Sequence, residues 1–441
     1  MKQIISDLYL KDRTFICDDY DYCLDYLKKY LDLSINEYPS GAAYWNWIIP
    51  DKYTVKTGFI KNLKTGEIVV DVKNHPMHLA SYSTSFEGII HYEQLKEHLQ
   101  WSEKVPEGIP NFYKFQYRPW VKDWKICLSY NQFNHLDKDV EYYVKIETIF
   151  EKGTMKVAHY LKKGAVDDTI VLVSHLDHPG QVNDGLSGVV VELAVMQELI
   201  KKETHYSYLF LIVQEFIGSV AFLSQSKDIK NYKMGLFSEM LTTGLRLQLQ
   251  KSFNGDSYID KAAEMVFMDQ FGYCDAFNYI EGAGNDEIVF ESPGIEVPFI
   301  SIMRVKKDNV IYRQYHTHLD NIDMVNELEL EEAFNVINRL INTIEQDYYV
   351  YRNFNGFICL SNPNIDLFLD KDDSDIKLTR KQKESFHKFQ FGGFRYFDGR
   401  HRISEIAQKY DVPFDTLYNL IKKMEMKNMV SLRHDKSDSN L

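Results

Sequence analysis

At 441 residues the chain is longer than one ordinary hydrophobic core serves, so two or three domains are expected. Hydrophobic residues at 44% and aromatic residues at 14% exclude global disorder. A formal net charge of −13 argues against generic nucleic-acid binding, which needs clustered positive charge.

Five cysteines (Cys17, Cys23, Cys127, Cys274 and Cys359) are few, odd in number and without the paired spacing of a metal site, which fits a reduced compartment. The start of the chain has no signal-peptide pattern, and no apolar run reaches the ~18 residues of a spanning helix. A cytoplasmic protein with no membrane partner is the resulting expectation.

Residues 1 to about 35 read as helical, with Tyr20, Cys23, Leu24, Leu27 and Leu31 on one apolar stripe. From Trp45 to about Tyr82 alternating runs at 53–60, 68–72 and 77–82 are separated by turn signals, the texture of a small β domain. Residues 92–101 predict a short helix, ended by Gly108-Ile109-Pro110. Strand–helix alternation then runs from near Tyr142 to about Asp347. Strands are predicted at 141–149, 169–175, 206–214, 234–241, 278–281 and 297–304, and helices include 186–202 and a last one at 327–349. Such alternation predicts an α/β fold, a sheet covered by helices.

The charged stretch 370–384, with Asp-Asp-Ser-Asp at 372–375, reads as a linker. Beyond it, Ile403, Ile406, Ala407 and Tyr410 form one helical stripe, Asp411-Val412-Pro413 breaks it, and Phe414, Leu417, Leu420, Ile421 and Met424 form a second. A strand at 429–432 completes the outline of a winged helix. Residues 391–441 hold nine Lys/Arg and seven Asp/Glu, a net of only two positive charges, so charge favours packing or partner binding over DNA there.

The chemistry gathers at strand ends. Ser174-His175-Leu176-Asp177 closes a run of apolar and β-branched residues, and Asn183-Asp184-Gly185 opens the helix that follows. Ligand sites in open α/β sheets collect at the carboxyl ends of strands, and imidazole with carboxylate oxygen suits zinc. Glu215 and Glu239 lie at or near the ends of two further apolar strands, where a carboxylate is costly unless paired or metal-bound. Tyr315-His316-Thr317-His318-Leu319-Asp320 adds two histidines and an aspartate before the last helix. Each has a plainer structural rival: His175 and His316 as bonded core histidines, Asp184 as a helix cap, Glu215 and Glu239 as ordinary carboxylates. Asp286 and Glu287 read as loop carboxylates or as holders of a substrate amine, and Arg304 as an ion-paired or a substrate-facing residue.

His175-x-Asp177, Asn183-Asp184-Gly185-x-Ser187-Gly188, Glu215 ahead of Gly218-Ser219, and Tyr315-His316-Thr317 together resemble the zinc aminopeptidase and glutamate carboxypeptidase clan. The chain is most similar to a bacterial aminopeptidase-like branch with an inserted β domain and a carboxyl-terminal winged helix. Pro39-Ser40-Gly41, Cys127-Leu128-Ser129-Tyr130 and Gly284-Asn285-Asp286-Glu287 share in the likeness.

The resemblance implies a phosphorylase/hydrolase-like zinc-exopeptidase core, a mixed sheet flanked by helices. Its parts would be a discontinuous catalytic domain (1–44 and 126–350), a β-rich insertion (45–125), a linker (351–388) and a winged-helix domain (389–441). It also implies one or two zinc ions on His175, Asp184, Glu239 and His316, with Asp177 orienting from behind. Where the clan carries two adjacent glutamates this chain has Gln214-Glu215, and Glu215 is read as general base with a ligand role as the rival. His318, Asp286, Glu287 and Arg304 are the candidate substrate contacts. The expected activity is hydrolysis of an amide in a peptide or small molecule with a free amine, by a chain that could form a homo-oligomer. The rivals are a deacylase redirected to a small metabolite or surface-glycan precursor, and a non-catalytic sensor with a DNA-binding winged helix.

Overall fold

A computed structural model describes residues 1–306, 311–368 and 378–436. The acidic run 372–375 lies outside the described residues. Helix Arg380–Gly392, capped by the Thr379 side chain, begins inside the stretch read as a linker and runs past its end.

The chain divides into two compact units, residues 1–260 with 275–335, and residues 261–274 with 336–441. The first is organised by a mixed eight-stranded sheet. Its spatial order is Ser34–Pro39, Thr154–Lys162, Ser207–Val213, Thr169–His175, Tyr232–Ser238, Phe299–Met303, Gln248–Gln250 and Ala276–Phe277. The four middle strands, Ser207–Val213 to Phe299–Met303, run parallel. Every residue of Thr169–His175 and of Ser207–Val213 is buried. That explains why both read as unbroken apolar runs: parallel strands covered on two faces have no wet side to alternate with. Register sets His175 beside Val213 and Ser238 beside Ile302, so the chain leaves three neighbouring strands at one edge.

Strand 141–149 departs from the expectation. Glu141–Glu151 pairs with Lys52–Asn62 and Phe86–His91 in a separate four-stranded sheet, and the strand that enters the main sheet is Thr154–Lys162. Burial along Glu141–Glu151 mostly alternates, as a half-covered antiparallel strand requires, and β propensity alone does not say which sheet it joins. The run 77–82 is not a strand but contains a short 3-10 helix, Pro76–His78, and near 278–281 the strand is Ala276–Phe277. The segment 45–125 has its own core around Ile60, Leu95 and Trp124, yet its Ile49, Tyr53, Met77, Tyr82 and Phe115 join the core under the main sheet.

The second unit contains the antiparallel sheet Asp398–Arg402, Tyr349–Arg352, Val430–Arg433, with helices Ile403–Tyr410 and Phe414–Met426 over a core that includes Phe389, Phe397, Leu417 and Ile421.

Helix Leu186–Leu199 is buried almost all round, and it carries Glu192 into the interior. Ser238 Oγ donates to Glu192 Oε1 at 2.7 Å, while Oε2 has no hydrogen-bond partner. Burial pushes this carboxyl well above the usual range. Above an ordinary carboxylate pKa of about 4.3 the unfolded chain releases this proton and the folded chain does not, so stability falls as pH rises towards the raised value. Glu192→Gln is therefore expected to raise Tm by an amount that grows from pH 5 to pH 8, about 2–4 °C for each kcal/mol relieved. A difference that does not vary with pH in thermal melts would count against a buried, protonated Glu192.

Candidate metal centre

Three histidines and several acids meet where the parallel strands end. His175 closes the strand Thr169–His175 with its Nε2 3.3 Å from Asp184 Oδ1 and 3.1 Å from Glu239 Oε2. Asp184 Oδ2 lies 3.0 Å from His316 Nε2. The structure thus brings together the four residues expected to hold metal.

It adds a fifth that sequence reasoning passed over. His178 places Nδ1 3.7 Å from Asp184 Oδ1 and Nε2 3.9 Å from Glu215 Oε2. His175, His178 and Asp184 offer ligand atoms within 4.8 Å of one another, and all three residues are buried. The signal was present in His-x-Asp-His, but an i, i+3 pair reads as adjacent only once the loop is known to fold back.

Several of these atoms lack any hydrogen-bond partner: both ring nitrogens of His175, His178 Nδ1, Asp184 Oδ2 and Glu239 Oε2. Buried polar atoms left unpaired are costly, and a cluster of nitrogen and carboxylate lone pairs facing one another is a cation's donor set. The charge states agree. Burial pushes His178 down to about 3, so it presents a neutral lone pair. Burial also disfavours a charged His175, but the carboxylates of Asp184 and Glu239 outweigh it and push its pKa well up. A field that would hold a proton on His175 is a field that favours a metal cation in its place. Glu239 is pushed up to about 7 by burial, with His175 pulling the other way.

The loop that carries these groups is tightly held. Arg13, wholly buried, donates to the carbonyl oxygens of Leu176 (2.7 Å), His178 and Gln181 (2.7 Å). Asp320 receives the backbone N–H of Asn183 and Asp184, the Asn183 side-chain amide and the Tyr312 hydroxyl, which fixes where the Asp184 carboxylate starts. A Cβ at Gly185 would stand 1.9 Å from the His175 ring, and one at Gly188 1.7 Å from the Ser238 carbonyl oxygen, so both glycines are required by close approach. Phe216, Met240 and His316 take left-handed backbone angles (φ 58°, 52° and 54°). Each such residue costs on the order of 1–3 kcal/mol, and two of the three directly follow Glu215 and Glu239.

Like His316, Glu215 is partly open. About 15% of its side chain is open, against none for His175 or Glu239. Its backbone N–H donates to Asp177 Oδ1 at 2.7 Å, and the Tyr117 hydroxyl donates to its Oε2. Burial raises its pKa, with His175 and Tyr117 opposing. Asp177 also receives Gln116 Nε2 at 3.0 Å and is pushed up to about 8 by burial. Gln116 and Tyr117 were not singled out by the sequence, because nothing in residues 110–120 marks them as neighbours of the main sheet.

The four expected substrate contacts are engaged by the protein itself. Arg304 takes the ion-paired arrangement: its guanidinium donates to the carbonyls of Leu241, Leu245 and Glu329 and pairs with Glu332 at 2.6 Å, so it braces the turn after Glu239. Asp286 Oδ1 receives Phe216 N–H (3.1 Å) and Ser219 Oγ (2.6 Å) at the start of helix Ile217–Gln225, and burial pushes it up to about 7. Glu287, pushed up to about 8 by burial, receives Gln250 Nε2 and Asn285 N–H, while the Asn285 side chain donates to Glu239 Oε1. His318 accepts the Ile109 N–H at Nδ1 (2.9 Å) and its ring meets His75 edge-on.

The family model described as a domain of unknown function, DUF4910, matches residues 2–347. A Clostridium acetobutylicum protein named for polysaccharide biosynthesis and an aminopeptidase-like domain is 30% identical over 420 residues, 93% of this chain and 91% of its own. A crystal structure from the same organism, titled as a peptidase, superposes with a TM-score of 0.83 at 26% identity over 98% of this chain and 96% of that one. A zinc aminopeptidase from Bacillus subtilis matches at 14% identity with a TM-score of 0.56, over 77% of this chain and 93% of that one, a likeness of fold alone. The first unit therefore has the mixed α/β aminopeptidase fold expected from the sequence.

Proposed function

Because this chain belongs to the DUF4910 family and carries an aminopeptidase fold, we propose that it is a zinc-dependent hydrolase that cleaves an amide bond, of the aminopeptidase type. The observation that carries this reading is the set of buried, unpartnered donor atoms on His175, His178, Asp184 and Glu239, with His316 beside Asp184. These residues would hold zinc, one ion or two, and the donor chemistry fits it. Zinc held there supplies Lewis acidity, which polarises a carbonyl and acidifies water.

The chain's own residues do the rest. Glu215, partly open and beside the cluster, accepts a proton from the attacking water at a carboxylate oxygen and returns it to the amine nitrogen as the carbon–nitrogen bond breaks. Tyr117 and Asp177 hold Glu215 by its carboxylate and its backbone N–H, which fixes the base relative to the cluster. The aminopeptidase type of the reading implies a substrate with a free amine, which Asp177 and Asp286, pushed up by burial to about 8 and about 7, would meet largely as neutral acids near pH 7. His318, Asp286 and Glu287 would act on it indirectly, through the groups they hold.

The test is metal-dependent stability and activity. Zinc should co-purify, its removal by a chelator should lower Tm by several degrees, and re-addition should restore both Tm and cleavage of unblocked aminoacyl amides. Protein whose melting and activity ignore chelation would refute the reading. The name of the 30%-identical relative favours a second substrate class, an amide of a surface-glycan precursor; cleavage of N-acylated amino sugars, with dipeptides untouched, would select it. For the second unit, helix, tight turn with Asp411 at φ 53°, helix and strand support a winged-helix reading and a partner-binding role.

A further inference from the structure

Two consecutive residues, Gln116 and Tyr117, hold the acidic side of the site: Gln116 Nε2 donates to Asp177 and the Tyr117 hydroxyl to Glu215. The same two residues line a cavity of about 320 Å³. Its other walls include Phe15, Trp47, Ile48, Trp120 and Ile217. Tyr117 meets Phe15 edge-on at 5.5 Å, and both Trp47 and Tyr117 pack against Phe216, the residue after Glu215. The cavity is therefore one side chain away from the proposed base.

Its chemistry is selective. Among the described residues, none that lines it is charged. Two tryptophans offer ring faces, and Trp120 is 67% exposed, so its ring is left for an incoming group to cover. The Gln116 amide nitrogen and the Tyr117 hydroxyl are already taken by Asp177 and Glu215, which leaves Asn46 as the main polar side chain on the wall. A charged head group would leave its charge unpaired against such a surface. An uncharged apolar or aromatic side chain would not. The volume falls within the range of small-molecule sites, which are mostly apolar with a few placed polar groups.

We propose that this cleft is a specificity pocket for an uncharged, ring-bearing or branched apolar side chain next to the scissile amide. The assignment rests on the hydrolase reading for its role, while occupancy of the cleft can be measured without turnover.

The experiment pairs calorimetric binding with kinetics on the zinc-loaded full chain, using phenylalaninamide, leucinamide, lysinamide and methyl glucoside. Phenylalaninamide and leucinamide should bind at least about tenfold more tightly than lysinamide, and Trp120→Ala should remove most of that margin. Ile48 is 58% exposed on the wall, and Ile48→Asp should shift preference towards lysinamide, a gain that misfolding cannot imitate. Apolar amides that bind with this preference but are never cleaved would keep the cleft and remove the hydrolase reading. Cleavage that ignores the side chain, or a Trp120→Ala variant that weakens every amide equally, would keep the hydrolase and overturn the cleft. Tighter binding of the glucoside than of phenylalaninamide would also overturn it.

Discussion

Asp184→Asn is expected to strip zinc from the purified protein and to lower kcat/KM by at least about two orders of magnitude. Asp184 lies within 3.0–3.7 Å of nitrogens on His316, His175 and His178, so it is the anion that the three imidazoles share. Burial works against its ionisation, yet the hydrogen-bonded imidazoles of His175 and His316 hold its pKa well below the usual carboxylate range. Asparagine keeps the size and the loop's hydrogen bonds through Asp320, which go to the backbone, but it removes the negative charge that would offset the proposed divalent cation. Metal analysis of the variant beside wild type is the check, with far-ultraviolet dichroism to show that the fold persists. Full zinc occupancy with wild-type turnover would remove Asp184 from the centre.

Glu215→Gln is expected to lower kcat by about 10²–10⁴ while zinc content and Tm stay near those of wild type. The amide still accepts from Tyr117 and keeps the backbone bond to Asp177, so geometry survives and only proton acceptance is lost. This substitution separates the two roles open to Glu215. If zinc is lost together with activity, Glu215 is a ligand, and the base must be sought elsewhere. The neighbouring Gln214 cannot supply it: its amide is neutral, and its Nε2 donates to the carbonyls of Phe15 and Lys156.

Arg13 and Asp320 show how much of the site is support. They hold no position facing the donor atoms, but one clamps three carbonyls of the loop 176–181 and the other fixes the backbone at Asn183 and Asp184. Contacts of this kind are what let His175, His178 and Asp184 offer ligand atoms within 4.8 Å of one another.

The residues that could be picked out from sequence were those whose type conflicts with their surroundings. His175 after five apolar or β-branched residues, and Glu239 after Leu236-Phe237-Ser238, are polar groups at the ends of buried strands, and that conflict is visible in one dimension. Strand ends in a parallel sheet share one edge, so the meeting of His175, Glu215 and Glu239 followed from strand type alone. Contacts made across loops were not visible. Tyr117 reaches Glu215 across 98 residues, Gln116 reaches Asp177 across 61, and His318 meets Ile109 across 209. Nothing local to those residues differs from an ordinary surface loop, because their roles come from contacts of residues 109–117 with Asp177, Glu215 and His318, far away in the chain.

By itself, then, the sequence determined the α/β class, the parallel centre and most of the charged cluster, since burial and strand period are written into local composition. Tertiary structure alone decided that His178 faces the cluster, that Glu141–Glu151 belongs to the smaller sheet, that Arg304 is a brace, and that an aromatic cleft is lined by Tyr117, the partner of Glu215. Each of these depends on a loop crossing or a pairing choice between distant segments, and such choices are settled by the packing of the whole chain rather than by any stretch of it.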